Sequence, residues 1–300
     1  MMKPQVLRTL IEVTRLEAAA LLPRREPQRI LMCTPEYFEV VDVKNPYMEG
    51  NIGAVDQRQA VAQWEELRRA FLQTGHEVVT IAGQAELEDM VFSANQTLVG
   101  MSPAGAPYVL LSCMTHASRQ REVPYFRQWF EARGYKIYSL NEKAERFEGH
   151  GDALWHPGKQ LLWGGYGHRS TLAAYAQIAA TLNVPVIALE LLDPNFYHLD
   201  TCFCVLREDA VLIYPGAFTA EDRAMIAHMF PLVLTVSAEE ATRYFACNAL
   251  ALDGRTVILQ RGARETVAML RAHGFTVIEV ETGEYLKSGG SVFCLKTMIY

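Results

Sequence analysis

A cysteine that follows a Gly-Gly pair (Cys294 in GGSVFC), a His-x-Asp (His198 and Asp200 in FYHLDT) and a glutamate (Glu148 in FEGHGD) are the side chains best suited to do chemistry here. A thiolate is intrinsically a strong nucleophile, an imidazole titrates near neutrality, and carboxylates orient imidazoles and hold cations. Each of these groups opens a stretch that is otherwise apolar and strand-like, where a polar group is costly to bury unless it pairs or works. Asp89 to Asn95, Asn248 and the run from Ser288 to Cys294 occupy the same kind of place. One such residue alone reads as a turn former, because Asp, Asn and Gly dominate hairpin mouths. A Glu, a His-x-Asp and a Cys at matching places point to a site. A different chemistry stays open on the same residues. His150, Asp152, His156, His198 and Asp200 can be drawn as a two-metal cluster, although their spacing matches no ligand motif.

The elements that must position these groups repeat along the chain. Five amphipathic stretches carry a helical apolar period: DQRQAVAQWEELRRAFLQTG, REVPYFRQWFEARG, STLAAYAQIAATLN, AEDRAMIAHMF and RETVAMLRAHG. In the first, Val61, Trp64, Leu67, Phe71 and Leu72 form the apolar face. Each helix is followed at once by a β-rich run: HEVVTIA, YKIYSL, VPVIALEL, PLVLTVS and FTVIEVE. Gly75, Gly134, Asn183 and Gly274 stop four of the helices, and these residues tolerate the left-handed C-cap. A weaker stop falls near Phe230. The repeat is therefore roughly 45–60 residues, a length typical of radial or linear arrays. Hairpins fill the intervals, with turns at Pro157-Gly158, Glu208-Asp209 and Asp253-Gly254. The last unit, GGSVFCLKTMIY, lacks a hairpin partner, and RILMCTPEYFEV near the N-terminus supplies one that closes a ring. The fold class read from this pattern is α/β: a five-fold pseudosymmetric α/β-propeller of strand–strand–helix–strand units around a central site.

Composition fits one folded unit. Apolar residues make up 50% and charged residues 21% of 300, which is ample for a core. The net charge is −6 without a basic stripe, so no nucleic-acid partner is expected. The longest apolar runs, such as Ala18 to Leu22, fall far short of a membrane span. Near the start, Arg8, Glu12, Arg15 and Glu17 interrupt any signal-peptide core. Leu7, Leu10, Ile11 and Leu22 fit an amphipathic helix ended by Pro23. Residues 1–28 are accordingly read as an N-terminal helical extension and 29–300 as a single catalytic domain. Six cysteines without CxxC or framework spacing read as reduced thiols, which places the protein in the cytoplasm.

FEGHGD, FYHLDT and GGSVFC, in that order, resemble the guanidine-modifying branch of the pentein superfamily: arginine deiminase, arginine dihydrolase, dimethylarginine dimethylaminohydrolase and the amidinotransferases. The resemblance runs from about Arg29 to Tyr300, and it implies the same five-unit propeller. It makes Cys294 the nucleophile on a guanidinium carbon, His198 the general acid and then the base for water, and Glu148 the group that orients His198. It gives Asp200 the guanidinium, with Asp89 and Asp152 as further acidic contacts. Asp200 reads as two residues along a strand from His198, on the same face. Arg169, in GYGHRS, resembles the family arginine that pairs with the substrate α-carboxylate. The family's second such arginine has no direct counterpart, because Cys113 or Met114 stands there and Arg119 and Arg121 follow later.

Asn95 stands where most deiminases and amidinotransferases carry Asp. An amide can bond a neutral ureido oxygen that a carboxylate would repel. By resemblance this marks arginine dihydrolases, which pass through citrulline to ornithine and ammonia, and which carry a further Asn in an Asn-Pro-x-Met segment. Asn45 in NPYMEGN is that candidate. Family dimethylarginine hydrolases usually lack the acid after His-Leu, so Asp200 favours an unsubstituted guanidine. The implied enzyme is a hydrolase of C–N bonds in a small-molecule guanidino substrate, first arginine, through a covalent thiouronium. It needs no cofactor and no metal, and is compatible with a homo-oligomer. Amidino transfer, deimination and dimethylarginine hydrolysis remain alternatives on the same scaffold. A ribosome-associated pentein that only binds is the non-enzymatic one.

Overall fold

The computed structural model describes residues 4–16 and 21–300. Glu17 and the Ala18–Ala20 part of the apolar run lie outside the described residues. The fold is α/β, and its strands form five sheets. Each sheet has the same plan: an antiparallel hairpin, then a strand that returns parallel to the hairpin's second member. The first sheet joins Thr97–Met101, Pro107–Leu111 and Lys136–Tyr138. The second joins Ala153–Trp155, Leu162–Tyr166 and Val186–Glu190. The third joins Phe203–Arg207, Ala210–Ile213 and Leu232–Thr235, and the fourth Leu250–Ala251, Thr256–Gln260 and Thr276–Val280. The fifth is made from both ends of the chain. Thr297–Ile299 pairs antiparallel with Arg29–Cys33, which pairs parallel with Glu77–Ile81.

Each parallel return needs a crossover, and a helix supplies it. These helices are Gln57–Gln73, Val123–Glu131, Leu172–Leu182, Ala220–Met229 and Arg264–Ala272. Their ends are built as the sequence suggests. Asp56, Thr171 and Thr219 accept hydrogen bonds from first-turn N–H groups, and Gly75, Gly134, Asn183 and Gly274 take positive φ at 84°, 77°, 54° and 84°.

Two local expectations are corrected. In Gln57–Gln73 the buried face is Ala60, Trp64, Leu67 and Phe71, whereas Val61 and Leu72 are exposed. They lie off the i, i+4, i+7 line that meets Ile30 and Met32. The second amphipathic stretch forms its helix as Val123–Glu131, with Pro124 in the first turn and a separate short turn, Ala117–Gln120, ahead of it. The long N-terminal helix is not formed over the described residues. Val6–Leu7 is a strand added parallel to Val186–Glu190, and only Leu10–Thr14 is helical, closed by a Thr9/Glu12 capping box. Sheet pairing outcompetes the helical period there, and Ile11 points to solvent.

No helix among the described residues is long and apolar enough to cross a membrane. The core lies between sheets and helices, with Trp163, Phe203 and Phe230 packed together in one cluster and Trp64, Phe71 and Tyr285 in another. Leu67 is fully buried in that second cluster. Leu67→Ala should cost about 2–5 kcal/mol of stability, the range for a core leucine that leaves a cavity. Urea unfolding measures it, and a loss below about 1 kcal/mol would contradict this packing.

Candidate active site

The five sheets place their chemistry at equivalent points. Asn95 precedes Thr97–Met101, Glu148 precedes Ala153–Trp155, His198 and Asp200 precede Phe203–Arg207, Asn248 precedes Leu250–Ala251, and Cys294 precedes Thr297–Ile299. These residues sit on short turns ahead of the strands. The segments converge on one narrow cavity, lined by Cys294, His198, Asn95, Asp89, Asn45 and Arg169 together with Lys44, Arg119 and Tyr197.

Cys294 is 3% exposed. Its Sγ donates to Asp200 Oδ2 at 3.3 Å and accepts from Asn248 Nδ2 at 3.2 Å. Asn248 Oδ1 accepts the Cys294 and Ser291 N–H groups at 3.3 and 3.1 Å, so one amide fixes both the sulfur and its backbone. The Gly289-Gly290 pair lets this loop close. Gly289 has φ +79°, with Asn45 and Tyr197 against the place of a side chain, and a Cβ on Gly290 would collide with the Phe92 ring. Burial, and then the Asp200 carboxylate, push the Cys294 thiol well above its ordinary pKa. Burial pushes Asp200 up to about 7. Asp200 Oδ1 is buried without a partner. A cation placed against the pair would favour both ionised forms.

Glu148 is fully buried between an imidazole and a guanidinium. His198 Nε2 lies 2.7 Å from Oε2, Arg169 donates to the same oxygen at 3.1 Å, and the Thr115 N–H donates to Oε1 at 2.8 Å. Burial opposes its charge, but Arg169 and His198 hold the carboxyl well below its usual range. Burial lowers His198 to about 4 despite the pull of Glu148. A neutral His198 donates Nε2–H to Glu148 and keeps Nδ1 as a proton acceptor. Arg169 gives its other amino group to the Lys44 carbonyl at 2.8 Å and stacks over Tyr197.

On the remaining wall, Arg119 is buried and donates to Asn95 Oδ1 at 3.0 Å, to the Asp89 carbonyl and to both oxygens of Glu122. A guanidinium only donates, so Asn95 must turn its oxygen to Arg119. The buried Asn95 Nδ2 is left with two N–H bonds and no partner. Asp89 Oδ2 lies 3.0 Å from Lys44 Nζ, and Ser288 Oγ donates to Oδ1. Asn45 caps the short turn Pro46–Met48, accepting from Tyr47 N–H, and donates to the Ser288 carbonyl at 3.0 Å.

Cys294, His198, Asp200, Glu148, Asn95, Asp89, Arg169 and Asn45 are thus brought together. Asp152 is not part of the lining. Its two oxygens are taken by Ser170 Oγ at 2.6 Å and the Leu199 N–H at 3.1 Å, which makes it a brace for the His198 turn. The strand reading of His198 and Asp200 is also corrected. Leu199–Thr201 is a 3-10 turn, which sends His198 toward Glu148 and Asp200 toward Cys294. The imagined metal cluster is not assembled. His150 Nε2 accepts from Val99 N–H and His156 Nδ1 from Trp163, and no group of three His, Cys, Asp or Glu among the described residues is placed to hold a metal ion. Arg121 points outward toward Glu86. The sequence reading missed Lys44, Tyr197 and the part played by Arg119. It flagged Asn248 by position only. Their signals were proximity to NPYM, to His198 and to Glu122.

A family model described as N,N dimethylarginine dimethylhydrolase, eukaryotic, matches residues 35–300. The bifunctional arginine dihydrolase/ornithine cyclodeaminase AgrE of Nostoc sp. is 39% identical over 89% of this chain, but the chain spans only 37% of that relative's length. The N(G),N(G)-dimethylarginine dimethylaminohydrolase of Mycobacterium tuberculosis is 36% identical, over 92% of this chain and 88% of its own. A crystal structure of the N-terminal domain of cyanobacterial ArgZ, an arginine dihydrolase, as a cysteine-to-serine mutant bound to substrate, superposes with a TM-score of 0.85 at 39% identity. It covers 90% of this chain and 97% of that domain.

Asp200→Asn removes a negative charge beside the sulfur, so the Cys294 pKa should fall. Iodoacetamide labelling of the Cys294 peptide at pH 8 should then speed up, by up to about tenfold. An unchanged or slower rate would contradict the electrostatic role of Asp200.

Proposed function

Since the chain belongs to the N,N dimethylarginine dimethylhydrolase family, we propose that it is a cysteine-dependent hydrolase of a guanidino substrate, arginine first, which acts twice and leaves ornithine. The observation that carries the dihydrolase reading is Asn95. With its oxygen held by Arg119, it offers the cavity only N–H donors. These suit the C=O of a ureido intermediate, whereas a carboxylate in the place of Asn95 would repel it. The cyanobacterial domain that this chain covers almost completely is an arginine dihydrolase, in line with that reading.

In this mechanism a guanidinium lies between Asp200 and Asp89. Its charge favours the Cys294 thiolate, and His198 takes the thiol proton. Sulfur attacks the guanidinium carbon and a C–S bond forms. His198 returns the proton to one nitrogen, the C–N bond breaks and ammonia leaves. His198 then deprotonates water, which attacks the thiouronium. The C–S bond breaks, and the sulfur leaves as the ureido product forms. In a second round another ammonia is lost, and hydrolysis leaves a carbamate that decays to ornithine and carbon dioxide. Two waters are consumed in all. Glu148 stabilises the imidazolium each time it forms. Lys44, Arg119 and Arg169 are the cations of the lining that a substrate carboxylate can meet.

A second reading, hydrolysis of dimethylarginine, is favoured by the family model and the mycobacterial relative. Asp200 beside the sulfur argues against it, because an acid there suits N–H rather than N-methyl. For the architecture, the proposal sets the five sheets around one axis as a propeller, with the site on that axis. The segment 1–28 is then an extension of a single domain, 29–300. Its six free cysteines suit the cytoplasm.

Cys294→Ala should lower turnover of arginine by at least roughly a thousandfold with an unchanged circular dichroism spectrum. Asn95→Asp should still release the first ammonia but stop at citrulline. Mass analysis of products from arginine and dimethylarginine decides both: ornithine from the Asn95→Asp variant would defeat the amide argument, and turnover of dimethylarginine alone would replace the substrate.

A further inference from the structure

Lys296 follows Cys294 by two residues and is 1% exposed. Among the described residues its ammonium has no hydrogen-bond or ion-pair partner, and it lies 3.2 Å from the centroid of the Phe293 ring. Cations are rarely buried without a counter-charge. Burial pushes its pKa down to about 7, against the pull of Asp200.

Lys296 faces a second cavity, whose lining shares no residue with that of Cys294. The segment Phe293 to Lys296 is the partition, with Cys294 on one side and Phe293 and Lys296 on the other. Leu154, Trp155, Val205, Leu250 and Phe293 give this cavity apolar walls. Its other cation is Arg24, whose amino groups are spent on Glu26 and the Tyr300 hydroxyl, while its buried Nε has no partner. Glu26 is in turn occupied by Arg24 and the Gly158 N–H. His150 brings no charge, since burial lowers it to about 3 and Val99 N–H occupies its Nε2. The unspent polar groups are therefore an ammonium and a guanidinium N–H, both calling for an anion, within an apolar enclosure.

We propose that this rear cavity is a second ligand site, for a small carboxylate with an apolar body: the carboxylate meets Lys296 and the body lies against Leu154, Val205 and Leu250. The chemistry follows from a desolvated cation, which gains most from a single compact anion, and from walls that reward an apolar remainder.

Hexanoate and its neutral analogue hexanamide, titrated calorimetrically into the full chain, test this. Hexanoate should bind one site per chain at least about tenfold more tightly than hexanamide. Lys296→Met should abolish that preference. Val205→Trp, which fills the cavity and keeps the ammonium, should abolish hexanoate binding, and it carries the test if Lys296→Met does not fold. Arg169→Met, in the front cavity, should leave hexanoate binding intact. Equal or absent binding of the two probes, a preference that survives Lys296→Met, hexanoate binding that survives Val205→Trp, or loss in Arg169→Met would each overturn the proposal.

Discussion

One carboxylate, that of Glu148, has no exposure and must stay charged, and much of the site follows from how it does so. Taking an ion out of water costs several kcal/mol unless other groups answer it. Here an imidazole, a guanidinium and a backbone N–H answer it together. The same contacts orient His198, draw Arg169 toward the cavity and tie the loop at Thr115 to the turn before the second sheet. Asp152 supports the arrangement from behind, through Ser170 and the Leu199 N–H, and Ser170 Oγ also accepts the Glu148 N–H. Removing one partner would leave the others unpaired in the interior.

Around this centre the cavity is poised by neutrality at the sulfur. A buried thiol beside a carboxylate has little reason to ionise until a cation arrives. In the proposed first round substrate charge is then part of the catalytic equipment; in the second the neutral ureido group brings no such charge and relies on the Asn95 donors instead. Two buried atoms remain unspent near the sulfur: an acceptor, Asp200 Oδ1, and a donor, Asn95 Nδ2. Leaving such atoms unpaired is costly, so their survival in a well-satisfied interior marks the place where a ligand with matching N–H and C=O groups completes the network.

Much of the fold was legible because local signals agreed with the global arrangement. Gly75, Gly134, Asn183 and Gly274 end helices as their chemistry suggests, and the pairing of Thr297–Ile299 with Arg29–Cys33 was readable from an orphan strand at each end. The failures share a cause: competition that a linear reading does not see. Leu7 satisfies a helical period, yet it is drawn to an open sheet edge. His198 and Asp200 satisfy a strand alternation, yet a 3-10 turn sends them apart, to Glu148 and Cys294. Asp152 resembles a ligand by position, yet it is consumed by two donors. Lys44 and Arg119 carried no motif, because their places depend on carboxylates far away in sequence or hidden on a neighbouring turn.

The account stands on Cys294 forming a covalent bond with the carbon of a guanidino substrate. Acid-quenching the enzyme during turnover of arginine and mapping its peptides by mass spectrometry tests that bond directly. The account predicts an adduct on the peptide that contains Cys294, one that decays as product accumulates and is missing from Cys294→Ala. Turnover with no adduct at any time, or with the adduct on another cysteine such as Cys113, would contradict it.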